Sequence, residues 1–106
     1  FNRVGYKHLE PLPKKNIDTG MGLERLALVL QNVPTVFDID IMKPIVKAAS
    51  AAVGLAYDVT HPESYRLRRI AEHSRTVTFC MHEGVAPSNE KQGYVVRRLL
   101  RRAVLD

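Results

Sequence analysis

The stretch Ile17-Asp18-Thr19-Gly20-Met21-Gly22-Leu23-Glu24-Arg25 joins a carboxylate, two glycines one residue apart and a guanidinium at the mouth of an apolar helix. Glycines at Gly20 and Gly22 let the backbone approach a flat ligand with no Cβ in the way. Leu23, Leu26, Ala27 and Leu30 recur at helical spacing, which puts Arg25 in the first turn of the helix that follows. A guanidinium there can fork onto phosphate oxygens, and Asp18 just before the turn can hold an ammonium group. The pattern therefore suggests a nucleotide site, with a plain strand-to-helix turn as the alternative. It is neither a P-loop, which needs Gly-x-x-x-x-Gly-Lys-Ser/Thr, nor a dinucleotide fingerprint, whose third glycine falls where this chain has Arg25.

The elements that must position these groups come from a chain of 106 residues with 45% hydrophobic content, enough for one modest packed domain. The single cysteine, Cys80, cannot close an intrachain disulfide, and no Cys/His cluster has zinc-site spacing, so a reducing, cytoplasmic setting is expected. No run approaches the ~20 apolar residues of a membrane span, so a membrane partner is not expected. An opening without methionine and a close inside an amphipathic repeat lead us to expect a fragment of a longer protein.

Phe1 to Tyr6 reads as the tail of a strand, Leu9 to Pro13 as extended, and Ile17-Asp18-Thr19 as a short second strand. A first helix is predicted from about Gly22 to Asn32, ended by Pro34. A second runs from Ile39 or Ile41 to Val53, with Asp40 as its preferred N-cap and Gly54 as its terminator. The third follows Thr60-His61-Pro62-Glu63, whose ends have capping-box spacing, with Ser64 as an equal candidate cap. Its apolar face carries Leu67, Ile70, Ala71, Ser74, Val77, Thr78 and Met81, and Gly84 ends it. Arg66, Arg69, His73 and Arg75 lie opposite, and Arg68 with Glu72 has the spacing of a helical ion pair.

Charge is unevenly distributed. Residues 1–64 hold seven basic and seven acidic side chains, and residues 65–106 hold nine and four, so the whole net charge of +5 lies in the second part. After a Pro87-Ser88-Asn89 turn, the last helix sets Arg97, Arg98, Arg101 and Arg102 at roughly 0°, 100°, 40° and 140° around its axis. Val96, Leu99, Leu100, Ala103 and Val104 fill the remaining arc. Four arginines so close repel one another unless an anion neutralises them, so RNA or an acidic segment of the same protein is the expected partner.

Several blocks then become recognisable in one order. They are Phe1-Asn2-Arg3, Leu12-Pro13-Lys14, Asp18 to Ala27, Asp38-Ile39-Asp40, Arg69 to Arg75, Gly84 to Asn89, and Gly93-Tyr94-Val95-Val96-Arg97-Arg98-Leu99-Leu100-Arg101-Arg102-Ala103. Together they resemble the alanyl-tRNA synthetases, a class II aminoacyl-tRNA synthetase family, over nearly the whole chain. The resemblance implies a mainly α fold: a short N-terminal β element from the catalytic sheet, then a helical domain. Residues 1–33 would end the aminoacylation domain, with Gly22-Leu23-Glu24-Arg25 as its motif 3, and residues 34–106 would begin the tRNA-recognition domain.

By that resemblance the parent enzyme activates L-alanine with ATP and Mg2+ and transfers it to the 3′ end of alanine tRNA. Arg25 would contact the γ-phosphate as the catalytic residue, Gly20 and Gly22 would line the adenylate pocket, and Asp18 with Gly20 would bind alanine. Family members select their tRNA by a G·U pair in the acceptor stem, and Asn89 is the residue matched to that readout, with Arg97, Arg98, Arg101 and Arg102 on phosphates. No metal ligand is expected here, since the family's zinc lies outside these residues, and the other domains of the parent chain would be partners. Alone, the fragment should be inactive. In a competing reading it is a stand-alone basic helical module that binds RNA or protein, with the arginine helix in a third reading only an interdomain packing surface. Glu24 paired with a neighbouring base, leaving Arg25 outside, is the bland alternative for motif 3. Where the family usually has Asp-His, Asp-Gly and Gly-Arg or Asn-Arg, this chain has Glu72-His73, Glu83-Gly84 and Lys91-Gln92.

Overall fold

A computed structural model describes residues 1–106. Strands β1 (Asn2–Arg3) and β2 (Leu9–Glu10) pair antiparallel, Asn2 opposite Glu10, around a turn in which Gly5 and Lys7 take positive φ. Helices α1 (Leu23–Gln31), α2 (Lys43–Val53), α3 (Ser64–His82) and α4 (Lys91–Leu105) follow, with a 3-10 turn at Val36–Asp38. The fold is thus mainly α with a small N-terminal β element, as expected from the sequence.

Caps explain most of the boundaries. Asn32 ends α1 in the left-handed region at φ 51°, and Gly54 ends α2 at φ 72°, a conformation that glycine enters without Cβ strain. Pro44 sits in the first turn of α2, where its missing N–H costs nothing.

Four local expectations are corrected. Ile17–Thr19 forms no strand; Ile17 is 93% exposed with no neighbouring strand to pair with, and the second strand is Leu9–Glu10. Asp40 does not cap α2, because Gln31 at the end of α1 claims it: Gln31 Nε2 donates to Asp40 Oδ1 at 2.9 Å, and the Asp40 N–H donates to Gln31 Oε1 at 3.0 Å. The Thr60–Glu63 capping box does not form, since Asp58 Oδ1 accepts from both the N–H and the hydroxyl of Thr60 at 2.9 and 2.8 Å, and buried Ser64 donates to the Asp58 carbonyl. Arg68 does not pair with Glu72; it donates to the Val59 carbonyl at 3.1 Å and lies over the Tyr57 ring.

The core forms where α2 crosses α3. Val46 and Ala49 meet Leu67 and Ala71, with Phe37, Ile45, Tyr57 and Ile70 around them. Alanines at 49 and 71 present small side chains where the two helices meet. On the other side α4 lies along α3, burying Val77 and Val96. Of the apolar face read for α3, Leu67, Ala71 and Val77 are buried, but Ser74, Thr78 and Met81 stay exposed.

The molecule is extended, 64 × 40 × 20 Å, with a radius of gyration of 19.6 Å against about 13 Å for a compact domain of this length. No residue of α1 is buried, and Leu23, Val29 and Leu30 face solvent. Helix α1 touches the helical unit through the 3-10 turn, where the Thr35 hydroxyl donates to Asp38 at 2.5 Å.

Candidate nucleotide and nucleic-acid sites

Gly22 is the N-cap of α1 in extended conformation and offers no side-chain cap to the first N–H groups of the helix. Open N–H groups at a helix start attract anions. Arg25 stands in that first turn, exposed and outside every ion pair in the chain. Its stem folds back on Gly22: a Cβ built there would meet Arg25 Cδ and Cγ at 3.5 Å. Gly20 has open space around it, and its φ is not positive.

Asp18 is set apart from this group. It lines a broad cleft of about 900 Å³ with Phe1, Leu12, Lys14 and Asn16, whose wall includes neither glycine nor Arg25. Asp18, Gly20, Gly22 and Arg25 are therefore consecutive along one exposed segment and do not close into an enclosed pocket within these residues.

Glu24 points elsewhere. Arg75, on α3, donates through Nη1 to Glu24 Oε1, joining residues 51 apart, both about one-third exposed. The hydrogen bond from Arg75 is the main cause that holds the Glu24 carboxyl below its ordinary value, with the Arg75 charge contributing less. Glu24 is thus paired with a neighbouring base and Arg25 is left outside that pair, exposed at the helix mouth, as the bland alternative has it. A second acidic group behaves alike: Asp106 accepts from Arg69, Nη2 to Oδ1 at 2.6 Å, and its carboxyl is lowered chiefly by that bond, with Arg102 adding a weaker attraction.

Both carboxylates titrate lower folded than unfolded, so their contribution is fully present above their unfolded values and is lost as pH falls through the folded ones. Acid should loosen the α1–α3 and α3–α4 links. Helical ellipticity at fixed temperature should be flat from pH 8 to 5 and decline below about pH 4; a flat profile down to pH 2 would show that neither pair contributes.

The α4 surface gathers the sequence-predicted basic residues. Arg97, Arg98, Arg101 and Arg102 line one shallow groove of about 220 Å³ with Tyr94 and Leu105. All four are exposed, and none has a carboxylate within ion-pair distance. Arg98 lies 5.9 Å from the centre of the Tyr94 ring. Tyr94 was missed as a site residue, although its spacing of three and four to Arg97 and Arg98 puts it on their face. An aromatic beside unpaired guanidiniums suits a ribose or base edge next to phosphates.

The Pro87-Ser88-Asn89 turn is strapped to the start of α4. The Ser88 N–H donates to the Gly93 carbonyl at 2.9 Å, and Ser88 Oγ accepts from the Glu90 N–H at 3.3 Å. Gly93 is buried beneath this turn; a Cβ there would meet the Ala86 carbonyl oxygen at 2.7 Å. Asn89 is exposed and takes no part in the turn's hydrogen bonds, so its amide is free to engage a ligand. Lys91 holds a positive φ of 50° at the first position of α4, a conformation that glycine or asparagine adopts more easily.

A family model described as tRNA synthetases class II (A) matches residues 1–106. The chain is 56% identical over 108 residues to an alanine–tRNA ligase of Rhodopirellula baltica, covering 100% of this chain and 11% of the relative. It is 56% identical over 94 residues to that of Bacillus subtilis, 89% of this chain and 11% of the relative. Against that of Mycobacterium tuberculosis H37Rv it is 50% identical over 100 residues, 93% of this chain and 11% of the relative. The chain thus spans about one-ninth of the length of these relatives.

Proposed function

From the premise that this chain belongs to the class II (A) tRNA synthetases, we propose that it is a segment of an alanine–tRNA ligase, holding part of the ATP and alanine site and part of the tRNA acceptor-stem site. The observation that carries the RNA half is the α4 groove, where four exposed arginines without acidic partners flank Tyr94. Identity of 50–56% to ligases from three bacteria supports the enzymatic half.

In this reading residues 1–33 end the aminoacylation domain and residues 34–106 begin the tRNA-recognition domain. Alanine's carboxylate attacks the α-phosphorus of ATP and pyrophosphate leaves; Arg25 at the open end of α1 offsets charge on the γ-phosphate. Gly20 and Gly22 leave room for the adenylate, and the carboxylate of Asp18 pairs with the alanine ammonium and orients it. No three His, Cys, Asp or Glu side chains come together as a metal-ligand set. The separation of Asp18 from Arg25 supports a pocket completed by other parts of the ligase. The isolated chain should accordingly show no alanine-dependent ATP–pyrophosphate exchange.

On the RNA side, the wide, shallow minor groove of an A-form stem exposes base edges. A wobble guanine presents there an exocyclic amine that its pairing does not use, and the free amide oxygen of Asn89 can accept from it. The arginines attract phosphates without reading sequence. No helix in the chain is long and apolar enough to cross a membrane.

The test is titration of two acceptor-stem hairpins, one with G·U and one with G·C, at several salt concentrations. The G·U stem should bind more tightly, and Asn89→Ala should remove the preference. Arg97→Ala with Arg101→Ala should weaken both stems alike and flatten the log K against log salt slope by roughly one per lost phosphate contact. Unchanged affinity with a lowered melting temperature would make the arginine face an interdomain packing surface instead.

A further inference from the structure

Arg25 acts, in the reading above, from the first turn of a helix that buries none of its own residues. A helix so lightly packed is free to roll, and rolling it would swing a first-turn side chain through a wide arc. Something must hold its rotation. The 3-10 turn contacts the C-terminal end of α1, where Gln31 binds Asp40, but that anchor lies far from the N-terminal end. At the N-terminal end the one polar tie is Glu24 to Arg75 of α3.

We infer that Arg75 is a positioning residue for the nucleotide site, supplied by the helical RNA-binding half: by gripping Glu24 it sets the roll of α1 and so aims Arg25. The inference rests on the ligase reading and goes beyond it, because Arg75 itself touches no substrate.

The geometry is specific. Glu24 and Arg25 are successive residues of a helix, so their side chains leave the axis about 100° apart. With Glu24 turned to α3, Arg25 is directed around the helix, its stem lying against Gly22, where a Cβ would meet Arg25 Cγ and Cδ at 3.5 Å. Glu24 therefore cannot be released without freeing Arg25 to follow. Each partner is about two-thirds shielded, and Arg75 belongs to the same helix that carries Leu67, Ala71 and Val77 into the core. The grip is thus mounted on a helix anchored in the core, and it also neutralises a carboxylate that would otherwise stand beside the phosphates Arg25 attracts.

The test uses the full-length ligase with Arg75→Ala, Arg75→Lys, Glu24→Gln and the double variant Glu24→Gln/Arg75→Ala, measured by alanine-dependent ATP–pyrophosphate exchange, by G·U hairpin affinity and by thermal melting. Arg75→Ala and Glu24→Gln should each raise KM for ATP about tenfold with a much smaller change in kcat. The double variant should be no worse than either single one, because both cut one link. Arg75→Lys should recover part of the loss, and hairpin affinity should stay within about twofold. A lowered melting temperature with an unchanged KM for ATP would overturn the inference by reducing the pair to a structural tie, as would a loss confined to hairpin binding. Glu24→Gln keeps the shape of the side chain, so its KM decides the matter even where Arg75→Ala folds poorly. Absence of exchange in the unaltered full-length protein would instead overturn the ligase reading itself.

Discussion

Replacing Gly93 with alanine should lower the melting temperature by roughly 10 °C and, on the proposed function, abolish discrimination between G·U and G·C stems. Two effects oppose each other. Alanine in a helix is favoured over glycine by about 1 kcal/mol. Against this, the added methyl would sit 2.7 Å from the Ala86 carbonyl oxygen and 2.9 Å from Ser88 Cβ. One of these is backbone, and the Ser88 N–H to Gly93 carbonyl bond prevents the loop from drifting away cheaply. Overpacking of this kind costs about 1–3 kcal/mol and at times more. With the cost at the upper end of that range, the net loss is about 2 kcal/mol, which for a chain of this size gives the stated shift in melting temperature.

The loop can lower that cost only by lifting off α4, and Asn89 would lift with it. Non-specific attraction should survive, because Arg97, Arg98, Arg101 and Arg102 lie on the following turns of α4. The expected signature is therefore equal, salt-dependent binding of both stems by Gly93→Ala, read by hairpin titration and thermal melting. A variant that melts higher than the parent would show helix propensity winning and the strap to be slack.

The second large effect is expected at Arg25. On the proposed ligase reading, Arg25→Ala in the full-length protein should reduce alanine-dependent ATP–pyrophosphate exchange by about 10²–10³, the loss typical of removing one positioned charge-stabilising donor from a transition state. Folding should be untouched, since Arg25 is exposed and in no ion pair. Arg25→Lys keeps the charge but not the planar fork and should recover only part of the rate. Hairpin affinity should not move. A loss of less than tenfold would remove Arg25 from the chemistry and leave the open N–H groups of α1 as the phosphate ligand.

These expectations differ in how they could be known. The order of helices, the ends of α1 and α2, and the basic face of α4 follow from local rules: Pro34 bars the helix before it, Gly54 stops α2 by its own backbone freedom, and the spacing of Arg97, Arg98, Arg101 and Arg102 places them together whatever the neighbours do. The motif from Asp18 to Arg25, and the resemblance of its order to a family, were likewise legible, since both are properties of residue type and spacing.

What remained illegible is which of several competing partners each polar side chain takes, near in the chain or far from it. Asp40 looked like a cap, but Gln31 claimed it, and Asp58 took the hydroxyl that a capping box would have used. Helical spacing put Arg68 beside Glu72, yet the Val59 carbonyl and the Tyr57 ring compete for the guanidinium more favourably than an exposed i,i+4 carboxylate worth about 0.3 kcal/mol. Glu24 and Arg75 are 51 residues apart, and only the way α1 comes to rest beside α3 brings them together. The sequence by itself determined which side chains carry charge and which faces of helices they share. Tertiary structure decided which charges are spent on holding the molecule together and which, like Arg25 and the arginines of α4, are left unpaired, because an ion pair depends on distance in space and periodicity speaks only of neighbours along the chain.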